Sequence, residues 1–220
     1  MTDYERKKTR PVRVGGLEIG GDAPILVQSM CSTDTRDVEA TLAQIHCLQQ
    51  AGCELVRLAV PDREAAEALK SIVNASPLPL VADIHFDHRL AILAILAGVH
   101  KIRINPGNMK DKEGLKQLVS EAKKAAIPIR VGVNAGSVDR GTLDRYGGLT
   151  AQALAQTALE ACHELEALNF DQLVLSAKAS SPRLMIETYR LLAGQSAYPL
   201  HLGVTEAGTR QEGVIRSAVG

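Results

Sequence analysis

Four positively charged residues stand inside short apolar runs of the sequence. Arg57 lies in ELVRLAV (54–60), Arg103 in VHKIRIN (99–105), Arg130 in IPIRVGVN (127–134) and Lys178 in DQLVLSAK (171–178). Runs of this kind, bounded by turn residues, read as β-strands. Residues two apart in a strand share a face, so Asp83 goes with His85, Arg103 with Asn105, Arg130 with Gly132 and Asn134, and Ser176 with Lys178. A charge inside an apolar strand costs several kcal/mol unless it is paired or faces water. Four such cations in four strands therefore predict a cationic ring around an open centre. Its natural guest is a multiply charged anion such as a phosphate or diphosphate, with Arg supplying planar bidentate forks and Lys a point charge. Two unit charges about 4 Å apart attract by about 4 kcal/mol at an effective dielectric of about 20, before desolvation is subtracted. The carboxylates Asp83 and Glu206 are the internal groups expected to offset the ring when no anion is bound. The competing reading is that the ring is satisfied internally and binds nothing.

The elements that position these residues recur with a regular beat. A short hairpin is expected at 12–19 (VRVGGLEI), turning at Gly15-Gly16. Strands follow at 25–30, 54–60, 79–85, 99–105, 127–134, 171–178 and 199–206. Helical stretches lie between them at 37–51, 87–97, 111–126, 150–168 and 183–193, and a further helix begins at 211. Alternation of this kind means parallel strands joined by right-handed crossovers. No GxGxxG follows the first strand, and the polar residues gather at the same end of nearly every strand. Both points favour a TIM-type (β/α) barrel, whose active sites sit at that end. Seven βα units are counted where a closed barrel has eight, so the expected architecture is an incomplete barrel over 11–220 behind a polar tail, 1–10. The stretch AGSVDRGTLDRYGGLT (135–150) reads as a polar loop with four glycines, leaving the face where lids belong.

Composition narrows the field. The chain has 220 residues, 45% hydrophobic and 23% charged, with 25 basic and 25 acidic side chains. This balance excludes a disordered chain and argues against nucleic-acid or membrane-surface partners. Aromatic residues make up 3%, and Trp is absent, so base stacking is not expected. No secretory signal or membrane span is read, and Cys31, Cys47, Cys53 and Cys162 have no CxxC spacing, so a cytoplasmic protein with reduced thiols and no metal site of its own is expected. His46, His100 and His163 read as structural and Asp87 as a helix cap, while His88 and His201 stay unassigned.

The segments LVQSM, VRLAVP, PLVADIHFD, IRINPGN, IPIRVGVNAGS, LVLSAKAS and PLHLGVTEAG, in this order, resemble the bacterial 4-hydroxy-3-methylbut-2-enyl diphosphate synthase family over residues 11–220. The resemblance implies reductive ring opening of 2-C-methyl-D-erythritol 2,4-cyclodiphosphate in isoprenoid biosynthesis. It implies a [4Fe-4S] cluster, flavodoxin or ferredoxin as electron donor, and a head-to-tail homodimer. Carried over by position, Arg57, Arg103, Arg130, Lys178 and Asn134 hold the diphosphate, and Thr205 and Glu206 face the carbon skeleton. Glu206 is then the acid–base candidate, and Asp83, His85 and Asn105 form a polar floor. The family's cluster sits on a C-terminal domain that is not in this sequence, so the chain is expected to supply a substrate-binding barrel that is inactive alone. Two other readings stay open: a cluster-free aldolase-type barrel with Lys178 as a Schiff-base lysine (or, less in keeping with the few aromatics, a pterin-type transferase), and a non-catalytic fragment.

Overall fold

A computed structural model describes residues 7–109 and 111–220. An antiparallel hairpin, β1 (Val12–Val14) and β2 (Leu17–Ile19), opens the fold, with Gly15 in the left-handed region at φ 59°. A six-stranded parallel sheet follows in the order β3 (Gln28–Met30), β4 (Leu55–Ala59), β5 (Leu80–Asp83), β6 (Lys101–Ile104), β7 (Ile129–Asn134) and β8 (Leu173–Lys178). Strand order equals chain order, as successive right-handed crossovers require, and the sheet is the curled wall of a TIM-type barrel. The expected tail lies partly outside the described residues. Its remainder is pinned: Lys7 donates to the carbonyls of Ala193 and Ser196, and the Arg10 guanidinium lies 5.0 Å over the Tyr198 ring.

The crossover helices are α1 (Val38–Gln50), α2 (Arg63–Ala75), α3 (His88–Ala97), α4 (Lys112–Lys124), α5 (Arg140–Tyr146), α6 (Ala151–Glu166), α7 (Pro182–Gln195) and α8 (Arg210–Val219). Aspartates 37, 62, 87, 111 and 139 each accept a backbone N–H in the first turn of the helix they precede, which satisfies a donor that has no partner inside the helix. Helix α5 corrects the loop expected at 135–150. Asp139 caps it, and Gly147, at φ 68°, ends it.

Alternation sorts each strand into two faces. Outward residues such as Leu58, Ile102, Ile104, Val131 and Leu175 are buried against the helices in one continuous aliphatic core. Val14 of the hairpin packs on Leu55 and Val81 of the other face, and so stops the N-terminal end of the barrel. The seventh strand, expected at 199–206, is reduced to one parallel bridge, Leu200 to Leu175, and residues beyond it are irregular. The expected run 25–30 likewise shortens to Gln28–Met30, with Ile25 82% exposed. Both shortfalls have one cause. β3 and Leu200 flank the gap in the wall, so neither has a neighbour on its outer side to complete a ladder.

Candidate anion-binding site

The sheet register places the chemistry. Arg57 pairs with Val81, Val81 with Lys101, Asp83 with Arg103, Arg103 with Arg130, Gly132 with Ser176 and Asn134 with Lys178. Partners in register point to the same side of a sheet. Arg57, Lys101, Arg103, Arg130 and Lys178 thus share the inner face. Among the described residues, five basic side chains meet one carboxylate there, Asp83.

Asp83 is the hub. Its Oδ1 accepts from Arg103 Nη1 at 2.9 Å, and its Oδ2 lies 3.4 Å from Arg57 Nε. Burial opposes its ionisation, but Arg103 and Arg57 outweigh that and hold its carboxyl below the usual range. Arg103 also donates through Nη2 to the Gly132 carbonyl at 3.0 Å. Gly132 is glycine for a spatial reason: a Cβ there would stand 2.5 Å from Arg103 Nε. One strand's missing side chain makes room for the next strand's guanidinium.

The remaining cations are less well matched. Arg130 is 1% exposed, and its Nε and Nη1 have no hydrogen-bond partner; Arg103 Nε and Ser176 Oγ are also buried without one. Burial, then Arg57 and Arg103, press the Arg130 pKa down to about 9, which leaves the guanidinium charged at neutral pH. Burial, then Arg130, Arg57 and Arg103, lower Lys178 to about 7. Burial, then Arg130, Lys178, Lys101 and Arg57, keep His201 neutral, since its pKa falls well below the usual imidazole value. Buried donors without acceptors and cations without counter-charges each cost free energy. A multiply charged anion seated among them would relieve both deficits.

The structure brings Arg57, Arg103, Arg130, Lys178 and Asp83 together, with Asn134 beside Lys178 in register, and places the other expected site residues around them. Asn105 is buried at the end of β6. Asn134, half-buried at the end of β7, has its backbone N–H on Ser137 Oγ. His85 is half-exposed, with Nε2 3.7 Å from Asp83 Oδ1. Thr205 and Glu206 fall in the irregular segment after Leu200. The Thr205 N–H donates to the Ala179 carbonyl at 3.3 Å; Glu206 is exposed with φ 50°. Glu206 therefore does not offset the ring as expected, because its strand ends before reaching it. On the same face stand Lys101 and Gln28, 3.0 Å apart. Sequence reasoning does not single out Lys101, although it sits two residues before Arg103 and the same alternation points to it. Asp87 caps α3, and His100 Nδ1 accepts the Leu80 N–H at 3.1 Å, a structural role.

Among the described residues, no group of three His, Cys, Asp or Glu is placed to hold a metal ion. Cys31, Cys53 and Cys162 are buried apart from such a group, and Cys47 is exposed. These residues do not fit an iron–sulfur cluster, which needs several thiolates converging. No described helix is long and apolar enough to cross a membrane.

Comparison with solved structures shows the fold. The phospho-2-dehydro-3-deoxyheptonate aldolase of Thermotoga maritima matches with a TM-score of 0.66 at 15% identity, covering 97% of this chain and 62% of that one. The dihydropteroate synthase of Yersinia pestis matches at 0.65 and 14%, covering 95% and 85%. Sequence relatives are much nearer. The 4-hydroxy-3-methylbut-2-en-1-yl diphosphate synthases (flavodoxin) of Magnetococcus marinus and Maridesulfovibrio salexigens are 51% and 54% identical, each over 215 residues. Each match covers 98% of this chain, which spans 58% and 60% of those relatives' lengths. Residues 9–220 match the profile of the GcpE TIM-barrel domain, and the chain belongs to that family.

Proposed function

We propose that this chain is the substrate-binding barrel of a 4-hydroxy-3-methylbut-2-enyl diphosphate synthase and grips the diphosphate of 2-C-methyl-D-erythritol 2,4-cyclodiphosphate. The observation that carries the reading is the imbalance on the inner face, where three guanidinium groups, Arg57, Arg103 and Arg130, meet one carboxylate and Arg130 and Arg103 keep buried N–H groups unpartnered. Arg57, Arg103, Arg130 and Lys178 bind the phosphates, and Asp83 holds Arg103 and Arg57 in place through the contacts given above. Asn134 joins them on the diphosphate, Asp83, His85 and Asn105 orient these groups, Thr205 and Glu206 face the carbon skeleton, and Glu206 is the acid–base candidate there.

The residues of this chain do not fit an iron–sulfur cluster, and the reductive step is assigned to none of them. A further cluster-bearing domain, flavodoxin or ferredoxin as donor and a homodimer belong to the whole synthase and to the same proposal. The relatives' names, which include flavodoxin, support that donor. The aldolase-type alternative draws only on the fold likeness and on the lowered pKa of Lys178.

Calorimetric titration with inorganic pyrophosphate tests the reading. The chain is expected to bind it, and Arg130→Met to bind at least about tenfold more weakly while keeping its helical circular dichroism, as loss of a charge-assisted contact predicts. Equal binding by the two proteins, or none by either, would overturn the assignment.

A further inference from the structure

The anion site leaves one buried cation without an assigned role. Lys101 shares the inner face with Arg103 but lies one layer nearer the hairpin, and it is 0% exposed. Its Nζ donates to Gln28 Oε1, an amide that accepts one hydrogen bond from a group with up to three to give. The one carboxylate of the inner face, Asp83, is engaged by Arg103 and Arg57. The charged groups felt at Lys101 are Arg130 from β7 and Arg57 from β4, both positive, and His201 on the last segment is titratable and lies within reach of it. Burial first, then Arg130 and Arg57, press the Lys101 pKa well below the usual lysine value. A polyanion seated on the guanidinium groups above would offset the positive charge that Lys101 feels.

We propose that Lys101 is a further residue of the anion site, an amine that is uncharged in the empty barrel and takes up a proton as a multiply charged anion settles on Arg57, Arg103 and Arg130. The inference rests on the anion-binding reading above. The step is a protonation alone: the Nζ lone pair accepts a proton from solvent, and nothing is oxidised or reduced. A route exists, because the gap between β3 and Leu200 opens into a cavity of about 400 Å³ whose wall includes Gln28, Lys101 and His201. Gln28 keeps the amine aimed, so the ammonium forms beneath the guest. Lys101 is in this sense a positioning residue that adds its charge only when the site is occupied.

Proton counting tests it. Pyrophosphate is titrated calorimetrically into the full chain at about pH 8 in buffers of different ionisation enthalpy, and the slope of the binding heat gives the protons exchanged. Contributions from pyrophosphate and Lys178 are common to wild type and Lys101→Met, and His201, which feels Lys101, is removed by making the same comparison in a His201→Gln background, so the difference between the two isolates Lys101. Wild type is expected to take up about one proton more than the variant. A folded Lys101→Met that binds pyrophosphate with the same proton count would overturn the proposal. Lys101→Gln, which keeps a donor to Gln28, is held to the same comparison should the methionine variant not fold. If wild type binds no pyrophosphate at all, the anion-binding reading fails, and this inference fails with it; an unchanged proton count with binding intact sinks this inference alone.

Discussion

The two faces of β7 make opposite use of burial. Ile129, Val131 and Val133 point outward into the aliphatic layer under the helices, where contact alone stabilises them. Arg130, Gly132 and Asn134 point inward, where Arg130 is as buried as any leucine and lacks partners for two of its donors. The outer face makes the fold stable; the inner face spends part of that stability on a charged chamber. Substitutions on the two faces should therefore separate folding from binding.

The largest effect is expected at the one residue that serves both. Asp83→Asn leaves Arg57 and Arg103 buried without their carboxylate and should destabilise the chain by about 3–5 kcal/mol, read by urea unfolding. A change below about 1 kcal/mol would mean that the guanidinium groups are already satisfied elsewhere. Next comes Leu58→Ala on the outer face, where Leu58 is fully buried. It should cost about 2–5 kcal/mol while pyrophosphate affinity, measured on the folded fraction, stays within about twofold. Loss of affinity there would blur the division between the faces.

The smallest effect is a pH dependence of the anion-free chain. Lys178 has a pKa of about 7 when folded and its ordinary, higher value when unfolded. The unfolded chain then binds more protons above pH 7, so stability rises with pH. Cys31 and Cys162, pushed up to about 11 and about 12 by burial, act in the opposite direction only once unfolded thiols begin to ionise, near pH 9. The melting temperature should accordingly climb between pH 7 and 8.5, and less so with saturating pyrophosphate, which favours protonated Lys178. Lys101, whose pKa is also lowered, acts in the same direction, so a melting temperature that is flat, or falls, across that window without the anion would show that both lysines are charged in the empty barrel.

The sequence made the barrel and its ring legible for the same reason: period-two alternation. Arg57, Arg103, Arg130 and Lys178 each interrupt an apolar run, and strands in register bring such interruptions to one side. Lys101 follows the same rule but is overshadowed by Arg103 two positions on. Helix α5 was hidden because Gly141, Gly147 and Gly148 read as loop residues, whereas Asp139, accepting from the Thr142 backbone and hydroxyl, is enough to start a two-turn helix. Glu206 was misplaced because strand periodicity in 199–206 presumes a neighbour on both sides, and Leu200 has one. A local pattern could not reveal which edge of the sheet would stand open.

The alternation of β7 also bears on how the chain finds its alignment. A slip by one residue would push Arg130 among the helices and Ile129 into the chamber, an exchange penalised on both sides at once. A wholly aliphatic strand would tolerate such a slip far more readily. The costly inner charges thus act as a proofreading mark for strand pairing, rejecting mis-set ladders before any guest arrives.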